Sequence, residues 1–226
     1  MNSHLKHDLE KLKDGLMKVA TAVEENMLKS VKALGALSTE LGSDVVTTDM
    51  EIDKMEVEME EECLKVLALH QPVASDLRFV ITVLKINNEL EHIGDMAANI
   101  ARRISFLKKE PISTIPFDLG DMTSKTITML KHAIDSFMSE NEYLALEVCT
   151  ADEEVDSAMR ECFLKSEELL KKGEGMGCVN YLLVCKSLER IADLCTNIAE
   201  DVIYMRHSVI VRHNLQAAIR ALKEDS

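Results

Sequence analysis

The sequence predicts an all-α protein built as two tandem, duplicated three-helix bundles. Apolar residues recur every three or four positions along almost all of the 226 residues, and strand-like alternation never lasts more than a few residues. Glycine and proline number only 8 and 3, so few turns are expected. The segment LEHIGDMAANIA, residues 90–101, returns 98 residues later as LERIADLCTNIA, which indicates an internal repeat.

The first predicted helix runs from about Leu5 to Leu41, where Gly42 is suited to end it. Ser43 or Asp44 then supplies the side-chain oxygen that caps a second helix. The apolar spacing of that second helix persists to about residue 71. The chain therefore starts with two long helices joined by a short turn.

A third helix is predicted to follow directly. Pro72 cannot continue the second helix, but a proline is well suited to the first position of a helix, so it can begin the third. The helical pattern then extends to about Lys109. The next segment, KKEPISTIPFDLGD, contains two of the three prolines and is typical of a linker.

Three further helical patterns follow the linker, at about residues 121–139, 143–171 and 177–207. Short polar segments, SENE and KKGEGMG, separate them, and the C-terminal NLQAAIRALKEDS is compatible with a short seventh helix. The predicted organisation is a first three-helix repeat at 1–110, a linker at 111–120, a second repeat at 121–213 and a tail at 214–226.

The third and sixth helices carry the same apolar stripe, which supports the duplication. In the third helix the stripe consists of Ile86, Leu90, Ile93, Ala97, Ile100 and Ile104. In the sixth helix it consists of Val184, Leu188, Ile191, Cys195, Ile198 and Val202. Every pair is offset by 98 positions. Each half is therefore expected to pack its three helices around one such stripe.

Composition and charge narrow the classes of function. The net charge of −14 argues against nucleic-acid binding, which needs a basic surface, and favours a basic partner or a bound cation. No apolar run approaches the ~20 residues of a membrane span, and the first residues lack the apolar core of a signal peptide. Six cysteines without a C-x-x-C pair are interpreted as core residues in the reducing cytoplasm.

Each half carries two pairs of carboxylates spaced by one helical turn. In the first half the pairs are Asp49 with Asp53 and Glu91 with Asp95. In the second half they are Asp152 with Asp156 and Glu189 with Asp193. Residues four apart share one helix face, and Asn99 and Asn197 extend the second pair of each half by another turn.

The spacing of these pairs places them opposite one another. In an antiparallel hairpin, two residues at the same height have residue numbers that add up to a constant. The numbers of Asp53 and Glu91 add up to 144, and so do those of Asp49 and Asp95, so both pairs are centred on Pro72. In the second half, the residue numbers of the corresponding pairs both add up to 345, which centres these pairs on the predicted turn between the fifth and sixth helices. Each hairpin is therefore expected to set four carboxylates in two facing rungs, about 30 Å from the turn.

Four facing carboxylates repel one another unless a cation lies between them. Oxygen donors at this density suit hard cations such as Mg²⁺, Mn²⁺, Ca²⁺ or Fe³⁺. If the first two helices form a hairpin with its turn at Gly42, Val31 and Gly35 of the first helix lie level with these carboxylates. The first helix then adds no carboxylate, so a shallow, partly exposed site is expected.

Two alternatives stay open at this point. Acidic residues at helical spacing are often only a solvated face, which would leave a metal-free helical adaptor. A carboxylate-bridged metal enzyme is a second alternative, although neither a nucleophile with a base partner nor a P-loop is visible. Glu89-x-x-His92 matches half of a di-iron motif, but the second half has Ser187 and Arg190 there.

Two runs resemble the PhoU family of bacterial regulators of phosphate uptake: QPVASDLRFVITVLKINNELEHIGDMAANIARRI and SLERIADLCTNIAEDVIYMRHSVIVRH. The resemblance covers about residues 5–213 and rests on the Glu-x-x-x-Asp pair of each half. It implies the duplicated three-helix fold that the apolar pattern predicts.

The resemblance also implies a function. Proteins of this family are non-enzymatic, cytoplasmic negative regulators that act between the phosphate ABC transporter ATPase and the sensor histidine kinase of the phosphate regulon, often as homodimers. They reach the membrane only through these partners. Their acidic motifs hold iron or zinc in some members, with Mg²⁺ or Mn²⁺ as further candidates. Carried over by position, the expected ligands are Asp49, Asp53, Glu91, Asp95, Asp152, Asp156, Glu189 and Asp193, with Asn99 and Asn197 as additions.

Overall fold

The structure, a computed structural model, describes residues 3–110, 118–173, 175–211 and 219. Six α-helices make up this part of the chain, and it contains no strand. They are α1 (Ser3–Ala36), α2 (Thr39–His70), α3 (Ala74–Lys109), α4 (Leu119–Ser139), α5 (Glu142–Lys171) and α6 (Gly175–His207). The last four agree closely with the helices predicted from apolar spacing.

The six helices form two three-helix bundles, as predicted. Helices α1, α2 and α3 all contact one another, and so do α4, α5 and α6. The bundles meet mainly through α3 and α6, with a smaller contact between α1 and α4. The fold class predicted from the sequence is therefore confirmed.

The duplicated apolar stripe forms the core of both bundles. All twelve of its predicted residues in α3 and α6 are buried. The second helices repeat in the same way at an offset of 103, because Val45, Ile52, Met59 and Cys63 of α2 and their counterparts Val148, Val155, Cys162 and Ser166 of α5 are all buried. This second offset is the one that relates Asp49 to Asp152.

The predicted turn between the first two helices is wrong by several residues. Helix α1 ends at Ala36 rather than Leu41, and Leu37 adopts a left-handed backbone with φ of 45°. Ser38 caps α2, because its hydroxyl accepts a hydrogen bond from the Leu41 amide at 3.3 Å. The expected caps, Ser43 and Asp44, lie inside α2.

Gly42 serves close packing instead of ending a helix. It is buried within α2, and a Cβ at this position would lie 3.3 Å from the Ala101 carbonyl oxygen and 3.4 Å from Ile104 Cδ1. A glycine in a helix usually weakens it, so the sequence pattern favoured a helix end. The glycine instead lets the backbones of α2 and α3 approach each other.

The α2–α3 turn lies at the predicted place. Helix α2 ends at His70, and Gln71 takes a left-handed conformation with φ of 46° as its C-cap. Pro72 lies in the turn and does not begin α3, which starts at Ala74. Residues 111–117 and 212–218 lie outside the described residues, as do 220–226, so the linker and the seventh helix stay predictions.

Polar contacts join the two repeats along α3 and α6. The Lys85 ammonium pairs with the buried Asp201 carboxylate and lies 5.4 Å from the centre of the Tyr204 ring. Toward the end of the same interface, Arg78 Nε donates to the Met205 carbonyl at 3.4 Å. These contacts add polar links to the apolar packing between α3 and α6.

The cysteines behave as small core residues, as predicted. All six are free thiols, five are buried and Cys149 is partly buried.

None of the six helices is both long and apolar enough to span a membrane, a finding that covers the described residues.

Candidate carboxylate sites

Each hairpin gathers the four carboxylates that the sequence placed opposite one another. The first carboxylate site comprises Asp49, Asp53, Glu91 and Asp95, on α2 and α3. The second carboxylate site comprises Asp152, Asp156, Glu189 and Asp193, on α5 and α6. Their charges act on one another across the two helices of each hairpin.

Asp49 is the most deeply placed member of the first site. Its side chain is only 6% exposed, and its Oδ1 atom is buried without a hydrogen-bond partner. Burial raises the pKa of Asp49 to about 6, and the negative charges of Asp95, Asp53 and Glu91 add to the rise. A buried carboxylate oxygen among like charges is a strong ligand for a cation.

Gly94 makes the position of Asp49 possible. A Cβ at residue 94 would lie 3.2 Å from Asp49 Oδ1 and 3.5 Å from Ile52 Cγ2. Because α3 carries no side chain here, α2 can bring Asp49 against the backbone of α3. The sequence showed this glycine within LEHIGDMAANIA, but its role depends on a contact between helices.

Arg102 provides the nearest positive charge to Asp49. Its Nη2 atom lies 3.6 Å from Asp49 Oδ2, and it partly offsets the rise in the pKa of Asp49. Asn99 accepts a hydrogen bond from Arg102 Nη1 at 2.9 Å. Asn99, predicted as an additional ligand, therefore lies at the rim of the first site and holds the arginine there.

Two further ionisable side chains, Glu56 and His92, extend the first site beyond the predicted set. His92 Nε2 lies 3.7 Å from Glu91 Oε2. Burial raises the pKa of Glu91 and of Glu56, and the charge of Glu56 acts on Glu91. A signal was available in the sequence, since Glu56 lies one turn beyond Asp53 and His92 adjoins Glu91.

The second carboxylate site resembles the first around Asp152. The Oδ1 atom of Asp152 is buried without a hydrogen-bond partner. Burial raises the pKa of Asp152 to about 6, and the negative charges of Asp156, Asp193 and Glu189 add to the rise. One aspartate in each repeat therefore has a raised pKa, with burial as the main cause in both.

The rim of the second site carries more positive charge than that of the first. Lys186 Nζ lies 2.6 Å from Glu189 Oε2, and Arg190 Nη1 lies 3.5 Å from Asp193 Oδ2. A third pair joins Arg160 and Asp156 at 3.9 Å. These cations already balance part of the negative charge of the second site.

The two sites are therefore related but not equivalent. At the positions of Gly94, His92 and Glu56, the second repeat has Ala192, Arg190 and Met159. The first site thus has a carboxylate and an imidazole where the second has a thioether and a guanidinium, and a glycine where the second has an alanine. It is the richer in groups that could bind a cation.

Asn197 does not join the second site. Its Nδ2 atom lies 3.4 Å from both carboxylate oxygens of Glu89 and donates to them across the contact between α6 and α3. Asn197 therefore belongs to the junction of the two repeats. Asn99 and Asn197 occupy equivalent positions in the two repeats, but their side chains make different contacts.

The expectation that Val31 and Gly35 reach the height of the first site is wrong. Because α1 ends five residues earlier than predicted, its register against α2 is shifted. Asn26 Nδ2 donates to the Val45 carbonyl at 3.2 Å, which places Asp49 opposite an earlier part of α1. Val31 and Gly35 instead line an apolar cavity beside Leu119.

The carboxylates of each site are close enough to interact but do not converge on a point. Within the part of the chain that the structure describes, no group of three or more His, Cys, Asp or Glu side chains is arranged to hold a metal ion. Repulsion between like charges and pairing with rim cations both keep such side chains apart. The donor chemistry still fits a hard cation, because each site contains a buried carboxylate oxygen without a partner.

Comparison with known families matches both repeats. A family model described as the PhoU domain matches residues 16–104 and 119–202. The chain is 34% identical over 203 residues to the phosphate-specific transport system accessory protein PhoU homolog of Clostridium acetobutylicum, covering 88% of this chain and 92% of that one. It is 35% identical over 211 residues to the homolog of Pseudomonas aeruginosa, covering 91% and 86%.

Solved structures give the same result for the fold. The crystal structure of PhoU from Pseudomonas aeruginosa matches with a TM-score of 0.83 and 33% identity, over 90% of this chain and 99% of that one. The structure of the phosphate transport system regulatory protein PhoU from Streptococcus pneumoniae matches with a TM-score of 0.86 and 27% identity, over 92% and 99%.

Proposed function

This chain belongs to the PhoU family, and we propose that it is an accessory protein of a phosphate transport system that represses phosphate uptake. The observation that carries the proposal is the match over both repeats to relatives whose names describe such accessory proteins. The similarity covers most of both chains in each case. A role shared by the full-length relatives is therefore the natural role for this chain.

We further propose that the chain is a cytoplasmic adaptor without enzymatic activity, which contacts the transporter ATPase and the sensor histidine kinase. Its fold supports this role, because long helices present extended surfaces to two partners at once. Its net charge of −14 would steer encounters with basic patches on either partner. Because homodimers are common in this family, the functional unit is proposed to be a homodimer.

Metal binding is the second part of the proposal. Asp49 with Asp53, Glu91 and Asp95 would hold a cation in the first site, and the corresponding four carboxylates would do so in the second. Support comes from the buried oxygens of Asp49 and Asp152 without hydrogen-bond partners and from the raised pKa values of both. The metal is proposed to be iron or zinc, with Mg²⁺ and Mn²⁺ as alternatives that suit all-oxygen donors.

A bound cation would supply charge neutralisation. It would offset the repulsion among the four carboxylates of each hairpin. The chain's own residues prepare this step: Gly94 admits Asp49, and Arg102 partly balances its charge.

Deletion of the gene tests the regulatory role. If the proposal holds, the deletion strain expresses phosphate-starvation genes and takes up phosphate rapidly even in phosphate-rich medium, and the wild-type gene restores repression. A reporter that stays repressed after deletion would contradict the proposal. If the deletion instead alters the transport of a different substrate, the chain serves another transporter.

A further inference from the structure

The outer face of α2 carries an exposed apolar stripe that the bundle does not use. Met50, Val57 and Leu64 are 61%, 52% and 53% exposed. They are seven residues apart, so they lie along one line of the helix over about 21 Å. We call these three residues the outer stripe of α2. Single exposed apolar residues are ordinary, but three at seven-residue spacing share one face of the helix, where they can anchor a second helix.

The outer stripe lies in a strongly acidic surround. Helix α2 contains ten acidic residues and two lysines, a net charge of −8 with His70 neutral, against −14 for the whole chain. The exposed side chains beside the stripe include Glu51, Glu58 and Glu61, together with the two lysines, Lys54 and Lys65. The surround of the stripe is thus acidic on balance, with glutamates outnumbering lysines.

The second repeat shows that the fold does not require this stripe. At the offset of 103 that relates α2 to α5, its three residues correspond to Glu153, Arg160 and Glu167. Arg160 and Glu153 form an ion pair at 2.6 Å, as is common on a solvated helix face. The same position in the same fold is charged in α5 and apolar in α2, so packing of the bundle does not explain the apolar residues of α2.

We infer that the outer stripe of α2 binds a basic amphipathic helix of a partner protein. The apolar side of that helix would cover Met50, Val57 and Leu64, and its lysines and arginines would meet the flanking glutamates. Charge selects this occupant over a second copy of the chain, since pairing two α2 helices would oppose two surfaces of net charge −8. The inference rests on the proposed adaptor function, for which it names the partner chemistry.

Peptide binding to the full-length protein tests the inference directly. The probe is a fluorescent helical peptide of about 20 residues with leucines every three or four positions and lysines elsewhere, a length that covers about 30 Å. Its control has the same composition with the leucines scattered around the helix. At about 150 mM salt, where exposed charges more than about 8 Å apart are screened, the first peptide is expected to bind at least about tenfold more tightly than the second.

Two triple variants locate the binding surface. The variant M50E/V57R/L64E gives α2 the charges found in α5 and is expected to weaken binding of the amphipathic peptide at least about tenfold. The matched control F163E/L164R/L170E makes the same charge change on other exposed apolar residues, near the end of α5, and is expected to bind as the wild type does. All six residues are exposed, so melting curves should stay close to that of the wild type.

Several outcomes would overturn the inference. One is equal affinity for the two peptides, and another is unchanged affinity in the M50E/V57R/L64E variant. Equal loss in both triple variants would show general apolar binding and would also overturn it. If sedimentation shows that only the α2 variant converts a dimer to a monomer, the occupant is a second copy instead.

A reporter assay separates this inference from the proposed function. With equal protein levels in a deletion strain, the M50E/V57R/L64E variant is expected to leave phosphate-starvation genes expressed, whereas F163E/L164R/L170E restores repression. Full repression by the α2 variant would reject the inference and leave the proposed function intact. If deletion itself has no effect, the proposed function fails, and the peptide assay still reports on the surface independently.

Discussion

Gly94 of α3 faces Asp49 of α2 so closely that a Cβ at residue 94 would lie 3.2 Å from Asp49 Oδ1. The second repeat has Ala192 at the corresponding position. Asp49 is buried, whereas Asp152 is partly buried, in keeping with that difference. The approach of these two residues distinguishes the first site from the second.

Gly94→Ala is expected to weaken Mn²⁺ binding at the first site severalfold, because the added methyl group pushes Asp49 outward. Stability should change little, since alanine gains about 1 kcal/mol over glycine in a helix and offsets part of the crowding. Calorimetric titration with Mn²⁺ in a Asp152→Ala background isolates the first site. Ala192→Gly is the matched control in the second repeat, and an unchanged affinity in Gly94→Ala would contradict this account of Asp49.

The metal-free protein is expected to become more stable as the pH falls from 7.5 to 5.5. Folded Asp49 and Asp152 take up protons near pH 6, whereas in the unfolded chain they do so near their ordinary pKa of 3.8. The cost of burying both charges is therefore present above about pH 6 and is relieved on acidification, by about 1–2 kcal/mol after allowance for partial exposure.

Urea denaturation of the metal-free protein at the two pH values measures this effect. The double variant D49N/D152N should lose most of the pH dependence, because asparagine does not titrate. Contributions from all other groups are common to both proteins, so the comparison between wild type and variant carries the result. Equal pH dependence in the two proteins would show that these aspartates are not responsible.

Gly42→Ala is expected to destabilise the protein by about 1–2 kcal/mol despite the better helix propensity of alanine. Its Cβ would lie 3.3 Å from the Ala101 carbonyl oxygen, and a backbone oxygen in a helix cannot easily move away. Gly35→Ala is the matched control, since nothing lies within 4 Å of a Cβ there. Thermal melting should show a lower Tm for the first variant and an equal or higher Tm for the second.

Lys85→Met is expected to lower the free energy of unfolding by about 1–3 kcal/mol. The substitution removes the cation paired with Asp201, whose side chain is only 2% exposed, at the junction of the repeats. Lys171→Met is the control, because Lys171 pairs with Glu167 at the surface, where the side chains are 71% and 53% exposed. Equal loss of stability in both variants would show that burial of the Lys85 pair does not matter.

The fold was predictable because both helix spacing and duplication are properties of the sequence itself. Ile93 and Ile191, for example, follow the same stripe and are both buried. The facing carboxylates were predictable for a similar reason, since one turn position fixes which residues of a hairpin share a height. The predicted turn at Pro72 was enough to place Asp49 opposite Asp95.

The errors arose where contact between helices overrides local pattern. Gly42 has the composition of a helix end but is a packing position, and that mistake shifted Val31 and Gly35 to the wrong height. Asn197 has the spacing of a ligand but contacts Glu89 of the other repeat. No single-helix pattern indicates how α3 and α6 cross, so this contact was outside the reach of the sequence.

Metal content is the measurement that tests the carboxylate sites most directly. Protein purified without chelator is expected to contain tightly bound metal by elemental analysis, and D95A/D193A, which removes one carboxylate from each site, is expected to lose most of it. The control E25A/E147A removes the same charge at exposed positions of α1 and α5 and should retain the metal. Equal metal content in the wild type and D95A/D193A, or its equal loss from the control, would contradict the assignment of these sites.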